Sequence, residues 1–178
     1  MKSIHFGLSV GLLLLAGCAA SSADDDAGNN GSDDSEAVHV EEATPAEASV
    51  EAYERFWDIV IEASEIPDPD YPPLQDVATG DGLETMTLML TELDAQGHYT
   101  SGAPGLEPTV VGLVPEEEPE EAVIHDCIDT NSYQLMSAAN DEPVEGEEYG
   151  ARMAQVTLDS HEGDWVVSSV AIWEIGSC

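Results

Sequence analysis

Residues 123–129, VIHDCID, bring a thiol (Cys127), an imidazole (His125) and two carboxylates (Asp126 and Asp129) within five consecutive positions. Such groups serve a Cys–His nucleophile, a metal site or a carboxylate general base, and they also occur in ordinary strands. In an extended strand, Val123, His125, Cys127 and Asp129 share one face, and Ala122, Ile124, Asp126 and Ile128 the other. His125 and Cys127 therefore meet the first requirement of a dyad. A zinc site is disfavoured, because His98, His125 and His161 show no paired ligand spacing. Asp126 stands among apolar neighbours. There it suits a general base assisted by Tyr53 or His125, and it equally suits a structural carboxylate bonded to a backbone amide, Tyr53 or Arg152. The structural role is the expectation.

The elements that position this strand are legible as helices followed by strands. Thr44-Pro45-Ala46-Glu47 is a helix start: Thr44 caps, Pro45 fits the first turn, and Glu47 completes a capping box. Ala46, Val50, Tyr53, Trp57, Val60, Ile61 and Ser64 then fall on one helical face, and Pro67 and Pro69 end it. Pro72, Pro73, Leu74, Val77 and Ala78 predict a short second helix ending near Gly80. Asp81-Gly82-Leu83-Glu84 predicts the start of a third, with Leu83, Met86, Leu90 and Leu93 on one face and Gly97 as the stop. After Gly97 the period becomes two. GHYTSG, PTVVGLV, EAVIHDCIDT, ARMAQVTLDS and DWVVSSVAIWEIG read as strands, HEG as a hairpin turn, and SAANDEPVEGEEYG as a long polar loop. This order predicts an α+β domain over 44–178, with three N-terminal helices packed on a curved antiparallel sheet. Trp57, Trp165 and Trp173, with Tyr53 and Tyr99, are expected in the core rather than around a ligand.

Charge narrows the partners. The 178 residues carry 38 Asp and Glu against 3 Lys and Arg, and 42% hydrophobic residues still allow a normal core. Eight of the acids precede Thr44, leaving 30 in the domain beside Arg55 and Arg152. Nucleic-acid affinity comes largely from cations neutralising phosphates, so nucleic-acid binding is excluded. Lys2 lies in the leader, so catalysis by a lysine of the domain is excluded as well. Self-repulsion on this scale destabilises a compact chain at low salt, which points to a salt-adapted source.

The N-terminus reads as an address. Lys2 precedes an apolar run from Phe6 to Gly17, too short for a membrane span of about 20 residues but suited to a signal peptide. Leu15-Ala16-Gly17-Cys18 resembles the bacterial lipobox, in which the cysteine takes a diacylglyceryl thioether and becomes the new first residue. Residues 1–17 are then the signal peptide. Residues 18–43 are a lipidated Cys18 and an acidic tether too poor in apolar side chains to bury a core. The aspartates at 24–26, 33 and 34 lack the turn glycine and closing glutamate of a calcium loop. The implied location is the extracytoplasmic face of a bacterial membrane, held by the lipid anchor.

Several segments carry a family resemblance: AYERFW on the first helix, ATGDGL entering the third, HDCID on a middle strand, ARMAQVTLDSHEGDWVVSSV as the last hairpin, and the terminal GSC. Together, over about residues 45–178, they resemble the cone-shaped nuclear transport factor 2-like fold, shared with SnoaL-like and ketosteroid-isomerase groups. Within it, the chain looks like small actinobacterial secreted or lipid-anchored proteins. The resemblance implies a pocket between helices and sheet, where enzymes of the fold place inward-facing acids or histidines. With Cys18 lipidated, Cys127 and Cys178 remain as an even pair in an oxidising compartment, which favours a disulfide and removes the thiol as nucleophile. Arg152 is expected as counter-ion to Asp126 or Glu54. The reading as a whole is a lipid-anchored binding or interaction module, with no cofactor or metal and a small apolar ligand or protein as partner. Two alternatives are a SnoaL-like isomerase, cyclase or hydrolase using Asp126, and a dimerisation module pairing as a homodimer.

Overall fold

The structure, a computed structural model, describes residues 43–178. Cys18, the leader and all but the last residue of the tether lie outside the described residues. The first helix, α1 (Pro45–Glu65), begins as its sequence requires. Thr44 Oγ1 accepts from the Glu47 amide at 3.3 Å, and Glu47 Oε2 accepts from the Thr44 amide at 2.8 Å. Two orphan donors of the first turn are satisfied in this way. Its buried face holds Ser49, Ala52, Tyr53, Phe56, Trp57, Val60, Ala63 and Ser64. That face is rotated from the expected stripe, which counted Ala46, Val50 and Ile61 and left out Phe56. Small residues at 49, 52, 63 and 64 let the helix lie close to its neighbours, and a reading weighted to large apolar side chains overlooks them.

A one-turn helix, α2 (Leu74–Val77), seats Leu74 and Val77 in the core. The third helix, α3 (Gly80–Gln96), starts earlier than expected, and Asp81 lies within its first turn instead of capping it. The reason is tertiary. The Thr79 amide already donates to the Val167 carbonyl at 2.8 Å, so the last strand sets where the helix begins. At Gly82 an added Cβ would lie 2.9 Å from the Val167 carbonyl oxygen, and only glycine allows this approach. Gly97, at φ 65°, closes α3 in the left-handed region as predicted.

Seven strands follow: β1 (His98–Gly102), β2 (Thr109–Val114), β3 (Glu121–Asp129), β4 (Tyr133–Ser137), β5 (Glu142–Pro143), β6 (Ala151–His161) and β7 (Asp164–Ile172). All pairings between them are antiparallel, but the hydrogen bonds form two sheets rather than one. One has the order β2-β3-β6-β7 and the other β1-β4-β5. The split occurs where β3 ends. Asp129 Oδ1 accepts from the Asn131 amide at 2.9 Å, the chain turns, and β4 returns to pair with β1. Beside the split, Gly105, in the segment between β1 and β2, bridges Asp129 with backbone bonds of 2.8 and 2.9 Å. β4 and β5 were absent from the sequence reading, and β5 occupies part of the expected polar loop. β7 ends at Ile172, short of the predicted Gly176, because the chain bends into a tail. The β6–β7 hairpin turns through Glu162 and Gly163, both at positive φ, as a two-residue turn demands.

The core lies between the helices and the inner face of the four-stranded sheet. Phe56, Val60 and Leu90 meet Ile124, Ile128, Val156 and Leu158, all at most 1% exposed. Each fully buried side chain of this size contributes roughly 1.5–3 kcal/mol. Trp165 is in the core as expected, whereas Trp173 is 44% exposed on the tail.

Candidate functional site

The inner face of β3 carries Ala122, Ile124, Asp126 and Ile128, all buried. Asp126 is 1% exposed and is held from two sides. Tyr53 Oη donates to its Oδ2 at 2.7 Å, and the Glu107 backbone amide donates to its Oδ1 at 2.7 Å. Burial first, and the Asp126 carboxylate second, push the Tyr53 phenol far above its ordinary pKa of 10.0. The Trp57 indole lies close enough to oppose this slightly, yet its Nε1–H stays outside hydrogen-bonding geometry. Tyr53 thus stays a neutral donor to the carboxylate. The pair ties α1 to β3 and to the segment before β2.

The outer face of β3 holds the other groups of VIHDCID. Cys127 forms a disulfide with Cys178, with Cα atoms 5.9 Å apart. The tail reaches it by running beside β6: the Gly176 amide donates to the Ala151 carbonyl at 2.7 Å, and the Met153 amide to Ser177 Oγ at 2.8 Å. His125 Nε2 lies 3.2 Å from Gln155 Oε1 on the neighbouring strand. His125 and Asp126 point to opposite faces of the sheet, so the two do not form one site. Among the described residues no group of three His, Cys, Asp or Glu is placed to hold a metal.

Arg152 departs from expectation. It faces inward on β6, opposite Ile128 and two pairs along from the Asp126–Ala154 pair. Yet neither Asp126 oxygen is bonded to it; their partners are Tyr53 and the Glu107 amide. Glu54 is exposed on the outer side of α1 and is no counter-ion either. Arg152 instead lines a cavity of about 230 Å³ between the helices and the two sheets. Its buried Nε has no hydrogen-bond partner.

The cavity wall draws on every layer of the fold: Trp57 from α1, Met89 from α3, Ile128 from β3, Tyr133 and Leu135 from β4, and Arg152 from β6. Asp126 is not among its lining residues. On one side, three hydroxyls form a closed cluster. Thr100 Oγ1 donates to Ser64 Oγ at 2.6 Å and lies 3.1 Å from Tyr133 Oη, which is 2.7 Å from Ser64 Oγ. Burial raises the pKa of Tyr133, so the cluster is neutral. Along the cavity runs the segment Glu147-Glu148-Tyr149, whose Tyr149 Oη accepts from the Leu135 amide at 3.0 Å. Its end is pinned where Thr130 Oγ1 and Gly150 exchange bonds of 3.1 and 3.2 Å.

Sequence reasoning missed Thr100, Tyr133, Leu135 and Tyr149. The period-two placement of Tyr133 and Leu135 was the available signal, but this five-residue strand between polar segments is too short to stand out. Of the aromatics considered for a pocket, Trp57 lines the cavity while Tyr53 lies in the core bonded to Asp126.

No protein-family model matches the chain, and a search of curated proteins returned no match. Among solved structures, it is similar to the intermembrane space region of the chloroplast protein ARC6, with 13% identity and a TM-score of 0.53 over 73% of this chain and 97% of that one. That likeness concerns the fold: an α+β arrangement of helices on antiparallel sheet. Weaker likenesses are to a designed protein with NTF2 in its name and to a protein of unknown function with a cystatin-like fold from Nostoc punctiforme. The first has 10% identity and a TM-score of 0.42, over 70% of this chain and 98% of that one. The second has 10% identity and a TM-score of 0.44, over 74% of this chain and 93% of that one. Among the described residues no helix is long and apolar enough to cross a membrane.

Proposed function

We propose that the chain is a lipid-anchored, extracytoplasmic binding module of the nuclear transport factor 2-like type, of the kind found in actinobacterial secreted proteins. Its ligand site is the cavity beside Arg152. The observation that supports binding over catalysis is the commitment of Asp126. Both of its oxygens are used by Tyr53 and by the Glu107 amide, and it lies outside the cavity. A general base must reach the proton that it removes, and here a neutral phenol stands in its place. In this reading, Cys18 carries the lipid and residues 19–43 hold the domain away from the membrane. The disulfide fits an oxidising compartment. The excess of acids fits a salty one.

A native mass spectrum of the protein purified from its own membrane tests the reading. Expected are a diacylglyceryl adduct on the mature chain beginning at Cys18, an intact disulfide, and a co-purifying small molecule. A chain with an unmodified Cys18 would overturn the anchor, and turnover abolished in Asp126→Asn but not in Arg152→Gln would restore the enzyme.

Dimerisation is the second reading, and one observation favours it. The edge strand β2 exposes Val111 (52%) and Val114 (55%) beside an open groove that includes Ala46, Val110 and Leu113. Sedimentation at molar salt, where repulsion between acidic copies is screened, distinguishes monomer from dimer.

A further inference from the structure

The wall of the cavity beside Arg152 gives it a chemical preference. A guanidinium stays charged at any ordinary pH and presents five donors in a planar fork that matches a carboxylate. Burying one of those donors without an acceptor is costly. The inward-facing carboxylate nearest along the strands, Asp126, is committed elsewhere, and Arg152 Nε remains without a partner. The remaining wall is mostly apolar: Trp57, Met89, Ile128, Leu135 and Ile172. The cavity opens to solvent past Glu147, Glu148 and Ile172, and its volume of about 230 Å³ has room for a group the size of benzene, which an enclosed cavity of roughly 150 Å³ holds. Glu147 and Glu148 border it and are exposed, so a multiply charged anion meets repulsion that a single charge paired with Arg152 does not.

We propose that this cavity takes a small monocarboxylate with an aromatic or branched apolar body, its carboxylate held by the Arg152 guanidinium and its body against Trp57, Met89 and Ile128. The proposal rests on the binding reading above and specifies the ligand class. The net charge of −35 repels anions at long range. At about 1 M salt the Debye length falls to about 3 Å, so the short-range contact with Arg152 decides affinity.

The test is a titration of the full chain by ligand-observed NMR at about 1 M NaCl with four probes: benzoate, benzyl alcohol, benzylamine and inorganic phosphate. Benzoate is expected to bind about tenfold or more tightly than benzyl alcohol, as a charge-assisted pair implies. Phosphate is expected to bind more weakly than benzoate. Arg152→Gln is expected to weaken benzoate about tenfold and to change benzyl alcohol by less than about twofold. If benzyl alcohol or benzylamine binds as well as benzoate, the carboxylate preference is overturned while the binding reading stands. Phosphate matching benzoate would overturn the apolar body. If no probe binds, both readings fall. Should Arg152→Gln not fold, the ranking of the four probes on the unaltered chain still decides the proposal.

Discussion

Tyr53 Oη and Asp126 Oδ2 lie 2.7 Å apart across 73 residues of sequence, and both side chains are buried. This bond joins the middle of α1 to the middle of β3. It gives Asp126 a partner in the core, and that partner is not Arg152.

Removing the phenol hydroxyl leaves one Asp126 oxygen buried without a donor. Tyr53→Phe is therefore expected to destabilise the domain by about 1–3 kcal/mol, measured by urea unfolding at fixed salt. Probe binding in the cavity should persist in the folded variant, since Tyr53 is not in its wall. A loss below about 0.5 kcal/mol would mean that the bond does not hold the fold together.

Alkaline pH should act through the same phenol. The folded protein holds the proton of Tyr53, and that of Tyr133, more tightly than the unfolded chain does. A group with a raised folded pKa contributes stability that is full below the unfolded value and is lost as pH rises beyond it. Stability is thus expected to fall above about pH 10, with tyrosinate absorbance of the two groups appearing only with unfolding. In Tyr53→Phe the alkaline slope should be shallower. Titration of all five tyrosines before any unfolding would contradict the buried, neutral assignment.

The disulfide closes a long loop, its two cysteines, Cys127 and Cys178, standing 51 positions apart in sequence. In the chain-entropy model, Cys178→Ser costs about 4 kcal/mol. Native protein should show no free thiol at either position, and reduction should lower Tm to about that of the variant. Equal Tm with and without reductant would show that the bridge adds nothing.

Salt should raise stability. With 30 acids and two arginines from Thr44 onward, repulsion within the domain is only partly screened at the roughly 10 Å Debye length of 0.1 M salt. Tm is expected to climb from low to molar NaCl and then level off, and to climb also in KCl. A flat profile would count against salt adaptation.

Much of the architecture was legible because its causes are local. The capping box at Thr44 and Glu47, the left-handed Gly97, the Glu162-Gly163 turn and the alternation along β3 are each complete within a few residues. They determined helices first, strands after, and which residues of VIHDCID face which way. Two cysteines left over from a lipobox were enough to expect their pairing. The start of α3, the division into two sheets and the placement of Arg152 at a cavity were decided only by tertiary structure. Thr79 bonds to Val167 and β4 bonds to β1, through contacts between segments far apart in sequence. Asp126 had several plausible partners by sequence, and the packing of α1 over β3 selected Tyr53 because its ring fills the core and its hydroxyl reaches the carboxylate. Arg152 then faces a cavity instead of an ion pair, since it lines the wall formed by Ile128, Tyr133 and Leu135 while Asp126 is bonded to Tyr53 and to the Glu107 amide away from that wall.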